Sequence, residues 1–269
     1  MSAAATKETR AGLSTAPQTE GPRVRLGVLW FFIALAAVTS GRWWTGVLMA
    51  ALAALAGAQT IRAWAVALVP GAQPADLPEL RTLPIAAGAG AAAVPLAAAW
   101  GTGLAGVVLA VVALVSGAGM VRRDDRGHPT LAAALAVATV LPAIAATSVV
   151  LAVRIDVWAG VAIVVGVSLF DAGSFLLGAD ASSKWEGPVA GVIGALAVVF
   201  TMSTLQVGGI DRGQWWIAGS ALALTCVVGL WVVSWALPSP TSWAPAMRRL
   251  DAYLVAGPVF VGLLWGIAR

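Results

Sequence analysis

The chain has 269 residues, of which 60% are hydrophobic and 10% charged, with a mean hydropathy of +0.91 and a formal charge of +4. A soluble globular domain carries roughly 25% charged residues, so this composition excludes a water-soluble fold of any size. Apolar runs of 18 or more residues recur without period-2 alternation, which excludes a β-barrel and predicts an all-α, polytopic membrane protein.

In chain order, residues 1–25 are rich in Ser, Thr, Ala and Pro, hold no apolar block, and read as a disordered cytoplasmic tail. The remainder, 26–269, reads as a single transmembrane helical domain. About nine spans are expected, near 26–41, 43–61, 83–100, 102–120, 131–153, 157–178, 187–205, 214–237 and 252–268. The first is too long for a cleaved signal peptide and is followed by others, so it reads as an anchor.

The positive charges give the orientation. With nine spans and a cytoplasmic N-terminus, the inner segments hold Lys7, Arg10, Arg23, Arg25, Arg62, Arg81, Arg122, Arg123, Arg126, Lys184, Arg248 and Arg249, twelve of the sixteen. Arg42, Arg154, Arg212 and Arg269 fall outside. The net charge is thereby explained by topology and by affinity for anionic headgroups, with no need for nucleic acid. The expected location is the inner (plasma) membrane of a prokaryote, multi-pass, with the N-terminus cytoplasmic.

Trp43–Trp44 and Trp215–Trp216 stand where spans begin and read as interfacial anchors. Small residues crowd the spans, as in AAGAGAAA at 86–93 and at Gly187, Gly191 and Gly194, and permit close helix packing. Cys226, the one cysteine, lies in an apolar run and reads as a small core residue.

Chemistry is expected around the sixth span. Asp171 lies seven residues before its end, roughly 10 Å in depth at about 1.5 Å per residue. A carboxylate there costs about 2.5–3.5 kcal/mol on insertion scales, which marks a cavity or a paired charge. Asp171, Ser174, Phe175 and Gly178 share one helical face. An ordinary reading also stands: the span ends at Phe170 and Asp171 caps it. The following segment, ADASSKWEG at 179–187, offers Lys184 to neutralise phosphate, Ser182 and Ser183 to donate to phosphate oxygens, and Glu186 to join Asp171 on a divalent cation. A solvated interfacial loop would have a similar composition. The sole histidine, His128, reads as a loop residue.

The string Asp171-Ala-Gly173-Ser-Phe175-Leu-Leu-Gly178, followed by Ser183-Lys184-Trp185-Glu186-Gly187, resembles the core segment of the phosphatidate cytidylyltransferase (CDP-diacylglycerol synthase) family. That family reads Asp-x-Gly-Ala-Tyr-x-x-Gly and then Ser-Pro-x-Lys-Thr-Trp-Glu-Gly. Two flanking stretches agree: SGRWWTGVLMAALAALAGAQTIRAW, and Arg249-Leu-Asp251 before AYLVAGPVF. The chain departs from the family in LPSPTSWAPAMRRLDA, where the signature lysine, histidine, paired glycines and first two aspartates are missing and Arg248 replaces the first Asp of Asp-Arg-x-Asp.

The resemblance implies transfer of a cytidylyl group from CTP to phosphatidate, giving CDP-diacylglycerol and pyrophosphate. It implies Mg²⁺ held by Asp171, Glu186 and Asp251, with Lys184 as a further catalytic residue and Ser182, Ser183, Arg248 and Arg249 binding phosphates. Its rivals are a CTP-dependent polyprenol or phytol kinase and a catalytically silent paralogue that binds anionic lipid or a partner membrane enzyme. A transporter is disfavoured, since the spans show no paired Gly/Pro-broken segments in corresponding halves. Both monomer and homodimer remain open.

Overall fold

The computed structural model describes residues 22–68, 79–118, 131–178, 183, 185–239 and 241–267. Among these, nine α-helices occur: α1 (Pro22–Thr39), α2 (Arg42–Leu68), α3 (Glu79–Trp100), α4 (Thr102–Ala118), α5 (Leu131–Ile155), α6 (Val157–Gly178), α7 (Glu186–Leu205), α8 (Arg212–Ala236) and α9 (Pro245–Ile267). The all-α expectation therefore holds. Among the described residues six stretches, within α2, α3, α5, α6, α7 and α8, are long and apolar enough to cross a membrane, while Gly27–Thr39 and Thr102–Gly117 are apolar but shorter.

Several boundaries differ by a few residues from those the sequence suggested, and three of the differences have a clear consequence or cause. The first helix begins at Pro22, inside the segment assigned to the tail; most of that segment, residues 1–21, lies outside the described residues. Helix α2 continues past Arg62 to Leu68, because a single exposed arginine in an Ala-rich run does not interrupt backbone hydrogen bonding. Helix α9 starts at Pro245, so Arg248, Arg249 and Asp251 occupy its first two turns instead of a preceding loop. Proline is well placed there, since a first-turn residue has no intrahelical use for an N–H.

Each short corner has a local cause. Between α1 and α2 the chain turns at Gly41, whose φ of 99° suits glycine. Asp156, the single residue between α5 and α6, accepts from the Trp158 amide at 2.7 Å and so caps α6. Its second oxygen accepts from Gly209 N at 3.5 Å, tying this corner to the α7–α8 turn. At the start of α8, Asp211 and Gln214 form a reciprocal capping box. Arg154, in the last turn of α5, donates to the carbonyls of Ala99 (3.1 Å) and Trp100 (3.2 Å) at the end of α3, and Trp43 packs edge-on against Trp100. These contacts gather four corners at one end of the bundle.

Helix α5 is central, packing on α2, α3, α4, α6 and α9. Close approach depends on small residues. Gly57 of α2 faces backbone carbonyls of two neighbours: a Cβ there would lie 2.8 Å from Ala138 O and 2.9 Å from Ala87 O. Ala138 O is the acceptor that Pro142, lacking an N–H, leaves without its usual helical donor. Helices α6 and α7 meet along Gly173, Gly187, Gly191 and Gly194, each of which faces a backbone oxygen of the other helix. The glycines of the 171–187 motif thus serve helix packing.

Candidate functional site

The polar residues of interest lie at the other end of the bundle. Helix α6 runs unbroken through Asp171 to Gly178, so Asp171 is an interior helical residue and the capping alternative is excluded. Its partners come from α9. Asp171 is close enough to Asp251 for the two carboxylates to repel, and both lie within electrostatic reach of Arg249; Asp251 also feels Arg248. Asp251 is 8% exposed, and its Oδ1 accepts from Ala252 N at 2.7 Å.

Close helix packing builds this arrangement. On α8, Gly229 presents no side chain where α8 meets the Asp251 backbone; a Cβ there would overlap Asp251 O. On α1, Gly27 leaves space for the Arg249 guanidinium, with Nη2 3.4 Å from where a Cβ would stand. Four helices therefore frame two carboxylates and an arginine.

Two residues not singled out from the sequence join them. Tyr253, 2% exposed, hydrogen-bonds with Ser168 and lies within electrostatic reach of Asp171, Cys226 and Arg249. The available signals were that Tyr253 is the only tyrosine in the chain and that Ser168 stands one turn before Asp171. Cys226 is a buried free thiol, as expected of a core residue.

Other expected site residues are placed differently. Glu186 is the first residue of α7 and is exposed; its Oε1 accepts from Ser183 N at 3.0 Å. Ser183 Oγ in turn accepts from Trp185 N at 3.4 Å, so Ser183 and Glu186 together organise the entry into α7. Among the described residues no three His, Cys, Asp or Glu side chains converge to hold a metal ion. The three-carboxylate set of Asp171, Glu186 and Asp251 is therefore not assembled, and the acidic centre is the Asp171–Asp251 pair. Ser182, Lys184 and His128 lie outside the described residues. Ser174 shares the α6 face with Asp171, yet its hydroxyl is turned to Gly191 of α7 and has no hydrogen-bond partner.

Two carboxylates suit Mg²⁺, which is commonly bound by one or two carboxylates with phosphate oxygens and water completing the shell. Adjacent guanidinium groups suit phosphate, whose oxygens accept bidentate, charge-assisted hydrogen bonds. The chemistry available is thus the binding of an anionic phosphate, with or without a divalent cation, at one end of an apolar bundle. Comparison with known protein families, with characterised proteins and with solved structures gives no match for this chain.

Proposed function

We propose that the chain transfers a cytidylyl group from CTP to a membrane phosphate monoester, with phosphatidate as acceptor, releasing pyrophosphate. The observation that carries this reading is the meeting of Asp171 from α6 with Asp251 and Arg249 from α9. These are the residues that the sequence resemblance assigns to the reaction, and they come from separated segments.

In the proposed reaction a phosphate oxygen of the lipid attacks the α-phosphorus of CTP. The new P–O bond forms as the bond to the bridging oxygen breaks, and the electron pair leaves with pyrophosphate. Arg248 and Arg249 bind and orient phosphate groups and offset the negative charge that accumulates as they approach. Asp171 and Asp251 would hold Mg²⁺, which when bound supplies further neutralisation of phosphate charge. Tyr253 and Ser168 fix the polar wall beside Asp171. Lys184 and the hydroxyls of Ser182 and Ser183 would serve the nucleotide from the preceding segment.

This reading includes nine spans and a cytoplasmic N-terminus. It is supported by the twelve-to-four distribution of positive charges and places the carboxylate end on the side where CTP is found. Single cysteines introduced at Ser183 and at Gly213, in a background with Cys226 replaced, are expected to react with impermeant maleimide from opposite faces of the membrane. Labelling of both from the same face would reverse the topology.

The direct test is CDP-diacylglycerol formation from labelled CTP by purified protein, with phosphatidate binding measured in parallel. Replacing Arg248 and Arg249 together by glutamine is expected to lower turnover by roughly 10²-fold or more, a larger factor than the loss of lipid binding, because charge stabilisation is greatest in the transition state. A double mutant with undiminished synthesis would remove the arginines from the mechanism. Wild-type protein that binds phosphatidate and makes no product would establish the silent lipid-binding alternative.

A further inference from the structure

The residues that carry Arg248, Arg249 and Asp251 are held in place from a distant helix. The α8–α9 connection begins after Ala236 and enters α9 at Pro245. Within it, Ser239 N donates to Ser242 Oγ (3.1 Å), Thr241 N to Ser239 Oγ (3.2 Å), and Ser242 N to Ser239 O (3.1 Å). The connection is therefore internally braced by hydroxyls, as Ser- and Thr-rich turns commonly are.

Both of its ends are fastened to α2. Trp64 Nε1 donates to Ala236 O at 2.9 Å, satisfying a carbonyl in the last turn of α8. Gln59 Oε1 accepts from Ala246 N at 2.9 Å, satisfying a donor in the first turn of α9. Helix termini leave such groups without intrahelical partners. Gln59 and Trp64 are five residues apart in sequence, about 7.5 Å along one helix at 1.5 Å per residue, so a single rigid segment sets both anchor points. Asp251 lies less than two turns beyond the Gln59 contact.

We propose that Gln59 is a positioning residue which, with Trp64, uses α2 to set the register of α9 and hence of Arg248, Arg249 and Asp251 against Asp171. Gln59 acts through the Ala246 amide. As far as the bound ligand is concerned, this rests on the function proposed above. The clamp itself does not.

The test uses full-length protein in lipid nanodiscs with Cys226→Ala and spin labels at Val66 on α2 and Trp243 in the connection, both exposed. The parent is expected to give one narrow distance distribution. Gln59→Leu removes the acceptor and should broaden it, whereas Gln59→Glu keeps an oxygen for the Ala246 amide and should preserve it. Trp64→Phe, which removes only the donor, is expected to broaden it as well and replaces Gln59→Leu should that variant fail to fold.

Binding to nanodiscs containing phosphatidate is expected to weaken about tenfold in Gln59→Leu and less than about twofold in Gln59→Glu, in line with loss of one partly buried hydrogen bond. An unchanged distance distribution in Gln59→Leu and Trp64→Phe overturns the clamp. A broadened distribution with undiminished phosphatidate binding overturns the positioning role. A parent that binds no phosphatidate overturns the functional proposal, and the clamp then stands or falls on the distances alone.

Discussion

Asp171→Asn is expected to reduce Mg²⁺-dependent CDP-diacylglycerol synthesis roughly 10²–10³-fold, the magnitude seen when one preorganised electrostatic group is removed from an active site. The substitution keeps side-chain size and hydrogen-bonding capacity. Since α6 continues through this position, no cap is lost, and the substitution removes one of the two neighbouring acidic charges. Thermal stability in detergent should hold or rise while turnover falls. Asp251→Asn should have a comparable effect, and the double substitution should cost little more than either alone, because the two carboxylates act as a unit. Full turnover in Asp171→Asn would exclude the pair as the catalytic centre.

The second large effect is expected from Gly191→Leu. Even a bare Cβ at Gly191 would overlap Ser174 Oγ and stand 2.6 Å from Phe170 O and 2.8 Å from Phe170 Cδ2. A backbone carbonyl cannot rotate aside as a flexible side chain would, so α7 must separate from α6. Overpacking of a dense core costs about 1–3 kcal/mol, and this substitution belongs at or above the upper end. The displacement should also carry Asp171 away from α9, so activity is expected to fall beyond the loss in folded protein. Gly106→Leu is the control, since nothing lies within 4 Å of a Cβ there. Equal melting temperatures for the two variants would contradict the close α6–α7 packing.

The helices were largely legible because span length is imposed by the bilayer and read as unbroken apolar runs. The bounds of α6 coincide with the 157–178 run. The start of α9 was misread for a physical reason: Arg248, Arg249 and Asp251 look like loop charges in a one-dimensional hydropathy pattern, and a helix that opens in the interfacial region carries such residues in its first turns. Pro245 was the local signal. The Asp171–Asp251 pairing could be anticipated only through the resemblance. The glycines of the motif were read as packing residues in α7, and the structure extends that role to Gly173 on α6. Gln59 and Trp64 were illegible, because a single polar side chain in an Ala-rich run does not announce a partner so distant in the sequence. Glu186 looked like a metal ligand by composition, whereas its carboxylate is engaged with the amide of Ser183, a local competition that spacing cannot rank.

One end of the bundle is built from short, mutually tied corners. At the Asp156 end the corners are as short as a single residue and are cross-tied from Asp156 to Gly209 and from Arg154 to the end of α3. Because Asp156 serves both the first turn of α6 and the turn before α8, a single carboxylate couples two corners 53 residues apart, and Asp156→Ala would loosen α6 and α8 together.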